Sequence, residues 1–156
     1  MKIIEKEILL LEEKEILRVI RNNEFPAQFN YHTIEEFEVY INGLSNAKHY
    51  LLLDEENEIQ GWAFTFLREE EDWFSIMLNK QFQGKGNGSL LLQKLKKNNS
   101  NLSGWVIDHE NDIKQNKEQY KSPLLFYIIN GFNVLSEIRI ENEKISAVKI
   151  IWNRKE

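Results

Sequence analysis

Within Ile59–Leu67 the aromatic residues Trp62, Phe64 and Phe66 recur at every second position, the period of one face of a β-strand. Apolar runs of strand length flank this stretch, Tyr50–Asp54 before it and Trp73–Leu78 after it. The polar segments Glu55-Glu56-Asn57-Glu58 and Arg68–Asp72 separate the three, so the middle of the chain reads as an antiparallel meander. The N-terminal third has a different period. Ile3–Leu11 starts as a strand, and Glu12–Arg21 reads as a helix with Ile16, Leu17 and Ile20 on one face, closed by Asn22-Asn23 and Pro26. Thr33 with Glu36 is a capping-box signature; Ile34, Phe37, Ile41 and Leu44 follow at helical spacing, and Gly43 closes the segment. The aromatic and polar connector Phe25–His32 either packs or roofs a pocket.

Beyond the meander, Leu91, Leu92 and Leu95 mark the inward face of a helix, with Lys94, Lys96 and Lys97 near its C-terminal end, where the dipole favours cations. Asn98–Ser103 breaks it, and Gly104–Asp108 reads as a buried strand. A helical crossover joins that strand to Trp73–Leu78, which makes the two parallel with a right-handed connection. His109–Lys121 is polar and aperiodic. Ser122-Pro123 starts a further helix, in which Leu124, Tyr127 and Ile128 share a face and Gly131 is the C′ glycine. Phe132–Ile140 and Ile145–Trp152 close the chain as a hairpin about Glu141-Asn142-Glu143-Lys144. The predicted architecture is α/β: a single domain over residues 1–156, built on one mixed, mostly antiparallel twisted sheet with helices on both faces.

Composition narrows the chemistry. The 156 residues, 42% hydrophobic and 12% aromatic, suit a folded globule with one core. No apolar run has the ~20 residues of a membrane span, and Met1–Glu7 lacks the features of a signal peptide; a cytoplasmic location and no membrane partner are expected. With no cysteine, disulfides, thiolate nucleophiles and cysteine-type zinc sites are excluded. His32 and His49 are isolated, and no metal is expected. The balance of 20 basic against 25 acidic residues, net −5, disfavours nucleic acid and mildly favours a cationic small partner. Trp62, Trp73, Trp105 and Trp152 then read as core or pocket wall, and Glu69-Glu70-Glu71-Asp72 as a solvated turn or an attractor for cations.

The most informative stretch lies between the third strand of the meander and the next helix: Gln83, Gly84, Lys85, Gly86, Asn87, Gly88 and Ser89. Glycines tolerate positive φ and let a ligand reach backbone, and the free amides at the start of a helix favour an anion. The stretch is therefore a candidate phosphate or pyrophosphate cradle. It is not a P-loop, because Lys85 precedes Gly86 and no Ser or Thr follows as that motif requires; nor is it Gly-x-Gly-x-x-Gly. It fits Gln-x-x-Gly-x-Gly through Gln83, Gly86 and Gly88.

That pattern, placed after a strand and opening a helix, resembles the acyl-CoA signature of the GCN5-related N-acetyltransferases (GNAT), Arg/Gln-x-x-Gly-x-Gly/Ala. Phe126-Tyr127-Ile128-Ile129-Asn130-Gly131-Phe132 resembles the Phe-Tyr-x-x-x-Gly-Phe ending of the family's later helix. The meander before and the hairpin after match the family's layout, so the resemblance spans nearly the whole chain. It implies the acyl-CoA N-acyltransferase fold and transfer of an acetyl group from acetyl-CoA, the co-substrate, to a small-molecule amine or peptide by direct attack in a ternary complex. The pyrophosphate would rest on amides from Gln83 to Ser89, and the pantetheine would pair with backbone at Ile76, Met77 and Leu78. Tyr127 matches the position that gives a proton or hydrogen bond to the departing thiolate; its bland reading is a buried tyrosine beside Leu124 and Ile128.

An alkylammonium must first lose a proton, an adverse step of about 4 kcal/mol near neutral pH. The strand lacks the glutamate some members use as a base, which leaves His109, with Asp108, as the candidate on chemical grounds; the alternative is that both merely close a loop. The chain also departs from the family where many members have Asn and Ala, seven and four residues before the tyrosine: here stand Tyr120 and Pro123. These departures keep open a CoA-binding or partner-binding module without catalysis. A nucleotide-phosphate binder would keep only the glycine loop. A homodimer through a sheet edge or the hairpin is compatible with the sequence.

Overall fold

Strand-period and helix-period segments alternate in the order expected. In the computed structural model, which describes residues 1–155, the elements are β1 (Lys2–Lys6), α1 (Leu11–Glu24), α2 (Ile34–Asn42), β2 (Ser45–Leu53), β3 (Ile59–Arg68), β4 (Glu71–Leu78), α3 (Asn87–Asn98), β5 (Asn101–Val106), α4 (Leu124–Ile129), β6 (Asn133–Glu141) and β7 (Ser146–Asn153). The strands form one sheet in the order β1-β2-β3-β4-β5-β7-β6. Every neighbouring pair is antiparallel except β4–β5, the parallel pair expected from the helical crossover. No helix among the described residues is long and apolar enough to cross a membrane.

Alternation along the strands divides the interior into two cores. On one face Leu52, Ala63, Phe74 and Leu78 meet Leu91, Leu92 and Leu95 of α3 and Tyr127 of α4. On the other, Leu51, Trp62, Phe64 and Met77 meet Leu17 and Ile20 of α1 and Phe37 and Ile41 of α2. Within this second core His49 is 1% exposed, and its Nδ1 accepts a 3.1 Å hydrogen bond from Trp62 Nε1.

Element boundaries moved where tertiary contacts outweigh local signals. The first strand stops at Lys6; Glu13 draws the chain into α1 instead, accepting from the Leu10 amide at 2.8 Å and from Lys6 Nζ. α1 runs through Asn22-Asn23, because Asn22 exchanges hydrogen bonds of 2.8 and 2.9 Å with the backbone of Tyr31. Ile16, expected inward, is exposed, and Arg21 takes its place on the buried face. Ile128 likewise points outward, so Tyr127 alone is buried in α4. Thr33 caps α2 as read, its hydroxyl accepting from the Glu36 amide at 3.2 Å. β5 begins earlier than expected, at Asn101, and β2 at Ser45. Helix α4 ends as its sequence suggests: Gly131, at φ +90°, donates to Ile128 and Phe132 donates to Tyr127, at 3.1 and 3.0 Å, the paired bonds of a Schellman cap.

A cleft between the parallel strands

Strands β4 and β5 share a single register pair, Trp73 with Ser103. Beyond it, Ile76, Met77 and Leu78 pair with β3 on one side only. A strand edge left unpaired in the middle of a sheet presents N–H and C=O groups to whatever enters the gap. A cleft of about 920 Å³ occupies this gap. The sequence-predicted residues Ile76, Met77, Leu78, Gln83, Gly84, Gly86, Gly88, Ser89 and Tyr127 all line it.

The glycine loop is shaped for two distinct reasons. Gly84 and Gly86 lie at φ +71° and +89°, and a Cβ at either would meet nothing within 4 Å; glycine is needed there for the backbone, not for space. Gly88 has ordinary backbone, but its Cβ would stand 3.3 Å from the Phe126 ring, so the residue lets α3 approach α4. The first helical hydrogen bond runs from Leu90 N to Gly86 O, which leaves the amides of Asn87, Gly88 and Ser89 without helical acceptors. Gln83 does not reach toward this cradle. Its amide nitrogen donates to Leu78 O at 2.8 Å and to Glu24 Oε1 at 2.7 Å, tying the loop to β4 and α1. Asn87 Nδ2 likewise donates to Phe82 O at 3.0 Å. The side chains of Lys85 and Asn87 are outside the cleft lining.

Tyr127 is held by edge contacts with Phe74, Phe126 and Phe132 at ring separations of 5.6, 5.1 and 5.4 Å. Burial, and then the neighbouring Tyr120, push its phenol well above the ordinary range. The Tyr120 phenol, also in the cleft wall, is pushed up to about 12, by burial first and Asp112 second, with Arg21 acting against them. Both hydroxyls therefore stay protonated at neutral pH and act as donors rather than bases.

The structure does not bring Asp108 and His109 to this cleft. Asp108 receives two hydrogen bonds from the Arg139 guanidinium, at 2.8 and 3.0 Å, and Arg139 holds its carboxyl below the usual range. His109 Nδ1 accepts from the Asn111 amide at 3.1 Å, and Nε2 stands 3.8 Å from Asp112. Physically, these residues close the start of the loop after β5. The acidic turn is also reassigned. The β3–β4 hairpin turns tightly at Glu69 and Glu70, both at positive φ, while Glu71 is bound by Lys149 at 2.9 Å and by Ser103 at 2.9 Å.

At the other end of the cleft, sequence reading left open that the Phe25–His32 connector roofs a pocket and that Trp73 is pocket wall, and it missed the remaining lining residues. The connector after α1 brings in Phe25 and Phe29. It is clasped to the 109–121 loop by Ala27 N to Ile113 O at 2.9 Å, and to the β6–β7 turn by Gln28 Nε2 to Lys144 O at 3.2 Å. Arg21, Tyr40, Phe66, Arg68 and Trp73 complete this end. The only local signal was the aromatic content of Phe25–His32; Arg21 sits in a helix where nothing marks it as buried.

Several solved structures share this fold. A phosphinothricin acetyltransferase from Sinorhizobium meliloti in complex with AcCoA superposes with TM-score 0.68 at 13% identity, covering 98% of this chain and 89% of that one. A ribosomal-protein alanine N-acetyltransferase from Escherichia coli gives 0.66 at 15%, covering 97% and 94%. A spermidine/spermine N-acetyltransferase from Vibrio cholerae gives 0.64 at 14%, covering 97% and 95%. At these identities the likeness establishes the fold alone. No curated protein matches the chain in sequence. The model of the acetyltransferase (GNAT) domain, however, matches residues 11–150, and with the fold and the open β4–β5 seam this places the chain in the GNAT acetyltransferase family.

Proposed function

We propose that the protein transfers an acetyl group from acetyl-CoA to an amine by direct attack within a ternary complex. The observation that carries this is the continuity of the cleft. One cavity is lined by the start of α3, with its free amides, by the unpaired edge of β4 and by Tyr127. The pyrophosphate of CoA rests on the amides about Gly86–Ser89, with Gly84 and Lys85 forming the approach and Gln83 bracing the loop. The pantetheine adds to the edge at Ile76–Leu78 as a further strand. The thioester carbonyl then lies where β4 and β5 separate.

The incoming ammonium releases one proton to water, and its nitrogen lone pair attacks the thioester carbon. As the C–N bond stays and the C–S bond breaks, Tyr127 supplies a hydrogen bond or proton to the sulfur, and the new amide gives up its second proton. The products are the N-acetyl amine, CoA thiol and one proton. The residues and burial favour Tyr127 as donor because its phenol stays protonated.

One observation favours a second reading, binding without turnover: among the described residues, no unpaired carboxylate or imidazole lines the cleft. Glu24 is engaged by Gln83 and stands 3.6 Å from Lys114, and Glu118 is engaged by Lys80. We favour turnover, since water in so open a cleft can carry the proton away. Two measurements decide between the readings: thermal stabilisation by acetyl-CoA, and release of CoA thiol with a panel of amines. At a hundredfold excess over Kd, ligand linkage raises stability by about 2.7 kcal/mol. Absence of any shift at millimolar acetyl-CoA overturns the assignment; a shift without thiol release across the panel supports the binding module.

A further inference from the structure

Among the described residues, four buried side-chain atoms lack a hydrogen-bond partner: Arg18 Nε, Arg21 Nε, Asn30 Oδ1 and Trp73 Nε1. Arg21 and Trp73 line the cleft, and the orphaned atom of each is a donor. Arg21 is 9% exposed and takes part in no ion pair among the described residues. Its guanidinium is met by aromatic rings instead: Phe25 at 4.5 Å, Tyr40 at 5.1 Å and Tyr31 at 5.2 Å. Cation–π contact offsets only part of the cost of burying a charge, and an unpaired buried donor costs more still.

A second cation with no ion-pair partner among the described residues, Arg68, lines the cleft from an exposed position. Arg68 lies 5.0 Å from the Phe66 ring and 5.7 Å from the Trp73 ring. Tyr40, raised by burial, is pulled back by Arg21 and by Arg68, so both guanidinium groups are within electrostatic reach of one phenol. Of the acids near this end, Glu24 is engaged by Gln83 and Lys114, Glu118 by Lys80 and Glu71 by Lys149; Asp112 acts on Tyr120 from the loop after β5, and Glu69, Glu70 and Asp72 sit at the β3–β4 turn beside Arg68, outside the cleft lining. In a chain of net charge −5, Arg21 and Arg68 thus line the cleft without an ion-pair partner among the described residues.

We propose that the acceptor is a small amine that also carries a carboxylate, an amino acid or similar amino-carboxylate. Its anion pairs with Arg21, the buried Trp73 Nε1 is a second donor for it, Arg68 strengthens the same preference from its exposed position, and its side chain lies against Phe25, Phe29, Tyr40 and Phe66. This rests on the acetyltransferase reading and specifies its substrate. A guanidinium–carboxylate pair in a sheltered site supplies charge-assisted bonds that satisfy the orphaned donor. A polyamine or a lysine side chain flanked by basic residues would instead bring cations against unpaired cations, which discriminates against it.

The test compares matched acceptors on the full chain with acetyl-CoA: leucine, leucinamide, isoamylamine and spermidine, with further amino acid and amide pairs, read as kcat/KM for thiol release. A second arm reads thermal stabilisation by N-acetyl amino acids against their N-acetyl amides, and so needs no turnover. The carboxylates are expected to exceed their amides by about 10- to 100-fold. Arg21→Met should bring them down to the level of the amides while stabilisation by acetyl-CoA persists, which shows the variant folded. Arg68→Met, at an exposed position, should lower carboxylate turnover by about 3-fold and serves if Arg21→Met does not fold. Equal or better use of amides, isoamylamine or spermidine with acetyl-CoA bound overturns this inference alone, as does equal stabilisation in the second arm or a carboxylate preference that survives Arg21→Met. Loss of acetyl-CoA stabilisation in the unmodified protein would overturn the acetyltransferase reading as well.

Discussion

At the glycine-loop end of the cleft the cavity is met by backbone from one short run, Gln83–Ser89, and by the edge of the strand just before it. At the far end it is met by side chains from α1, β3, β4, the connector after α1 and the loop after β5. The first end uses groups that every residue carries, shaped by glycines at 84 and 86. The second depends on which side chains distant segments bring together. A donor common to many reactions suits the first construction, and an acceptor particular to one enzyme suits the second. The two ends should therefore fail differently when altered.

The largest effect is expected at the glycine-loop end. Gly86→Asp forces a β-carbon into φ +89° and adds a negative charge where pyrophosphate is proposed to bind. Left-handed strain of about 1–2 kcal/mol and the added like charge together should weaken acetyl-CoA by about 100-fold or more. Isothermal titration measures this directly. Because a Cβ at that position meets no atom within 4 Å, the unliganded protein should still fold, and near-normal affinity would break the assignment of this end.

Tyr127 stands where the ends meet, and its replacement separates binding from chemistry. Tyr127→Phe keeps the ring contacts with Phe74, Phe126 and Phe132 and removes only the hydroxyl. Acetyl-CoA affinity should be unchanged while kcat falls by about 10²-fold. An unchanged kcat would return Tyr127 to a packing role.

The contrast between the ends also explains what was legible in the sequence. Alternation and capping located every strand and helix, because one-sided burial writes a period into the chain. The glycine loop was legible because much of its constraint is local: the positive φ at Gly84 and Gly86 is a property of the loop itself, although the close approach at Gly88 is to Phe126 of α4. Tyr127 was legible only through the resemblance of Phe126–Phe132 to the family's Phe-Tyr-x-x-x-Gly-Phe ending; the helix-ending glycine at 131 by itself marked the end of the helix and not the tyrosine. Most of the acceptor end was not legible. Arg21 lies in a helix whose apolar residues suggested Ile16, Leu17 and Ile20 as the inner face, and only the arrival of Phe25, Tyr31 and Tyr40 makes a buried arginine tolerable there. The net charge of −5 pointed to a cationic partner; with Glu24, Glu71 and Glu118 paired to lysines, the lining charges left without a partner among the described residues include Arg21 and Arg68. Asp108 and His109 attracted notice by chemistry and sequence proximity to β5, neither of which reports the direction of a side chain.

The second core, beneath α1, gives the stability of the fold a pH dependence. Burial lowers the His49 pKa from 6.5 to about 4, and the neutral ring accepts from Trp62. The unfolded chain binds a proton between these values and the folded one does not, so stability falls as pH drops through 6.5 toward 4. By linkage the loss at pH 5 is about 2 kcal/mol. The carboxylates held below their usual range by basic partners, such as Glu71 and Asp108, lose stability in the same direction but at lower pH. Denaturant unfolding at pH 7 and 5 should show the decrease, and His49→Gln, which retains an acceptor for Trp62, should flatten it. An equally steep decrease in the variant would place the proton elsewhere.

The smallest effect is expected at His109, where side-chain chemistry and position after the strand suggested a base. His109→Ala removes a ring bound to the Asn111 amide and near Asp112, outside the cleft lining. A general base contributes about 10²- to 10⁴-fold, whereas an exposed loop residue is worth within about 0.5 kcal/mol, so the two roles differ by more than any uncertainty in assay. Turnover should stay within about 2-fold of the unmodified enzyme. With no imidazole or carboxylate governing proton release, kcat/KM should climb with pH about tenfold per unit up to the pKa of the acceptor amine, and His109→Ala should leave that slope in place. A plateau near pH 7 that vanishes in the variant would restore His109 as the base and require the loop after β5 to turn its side chain into the cleft when substrate binds.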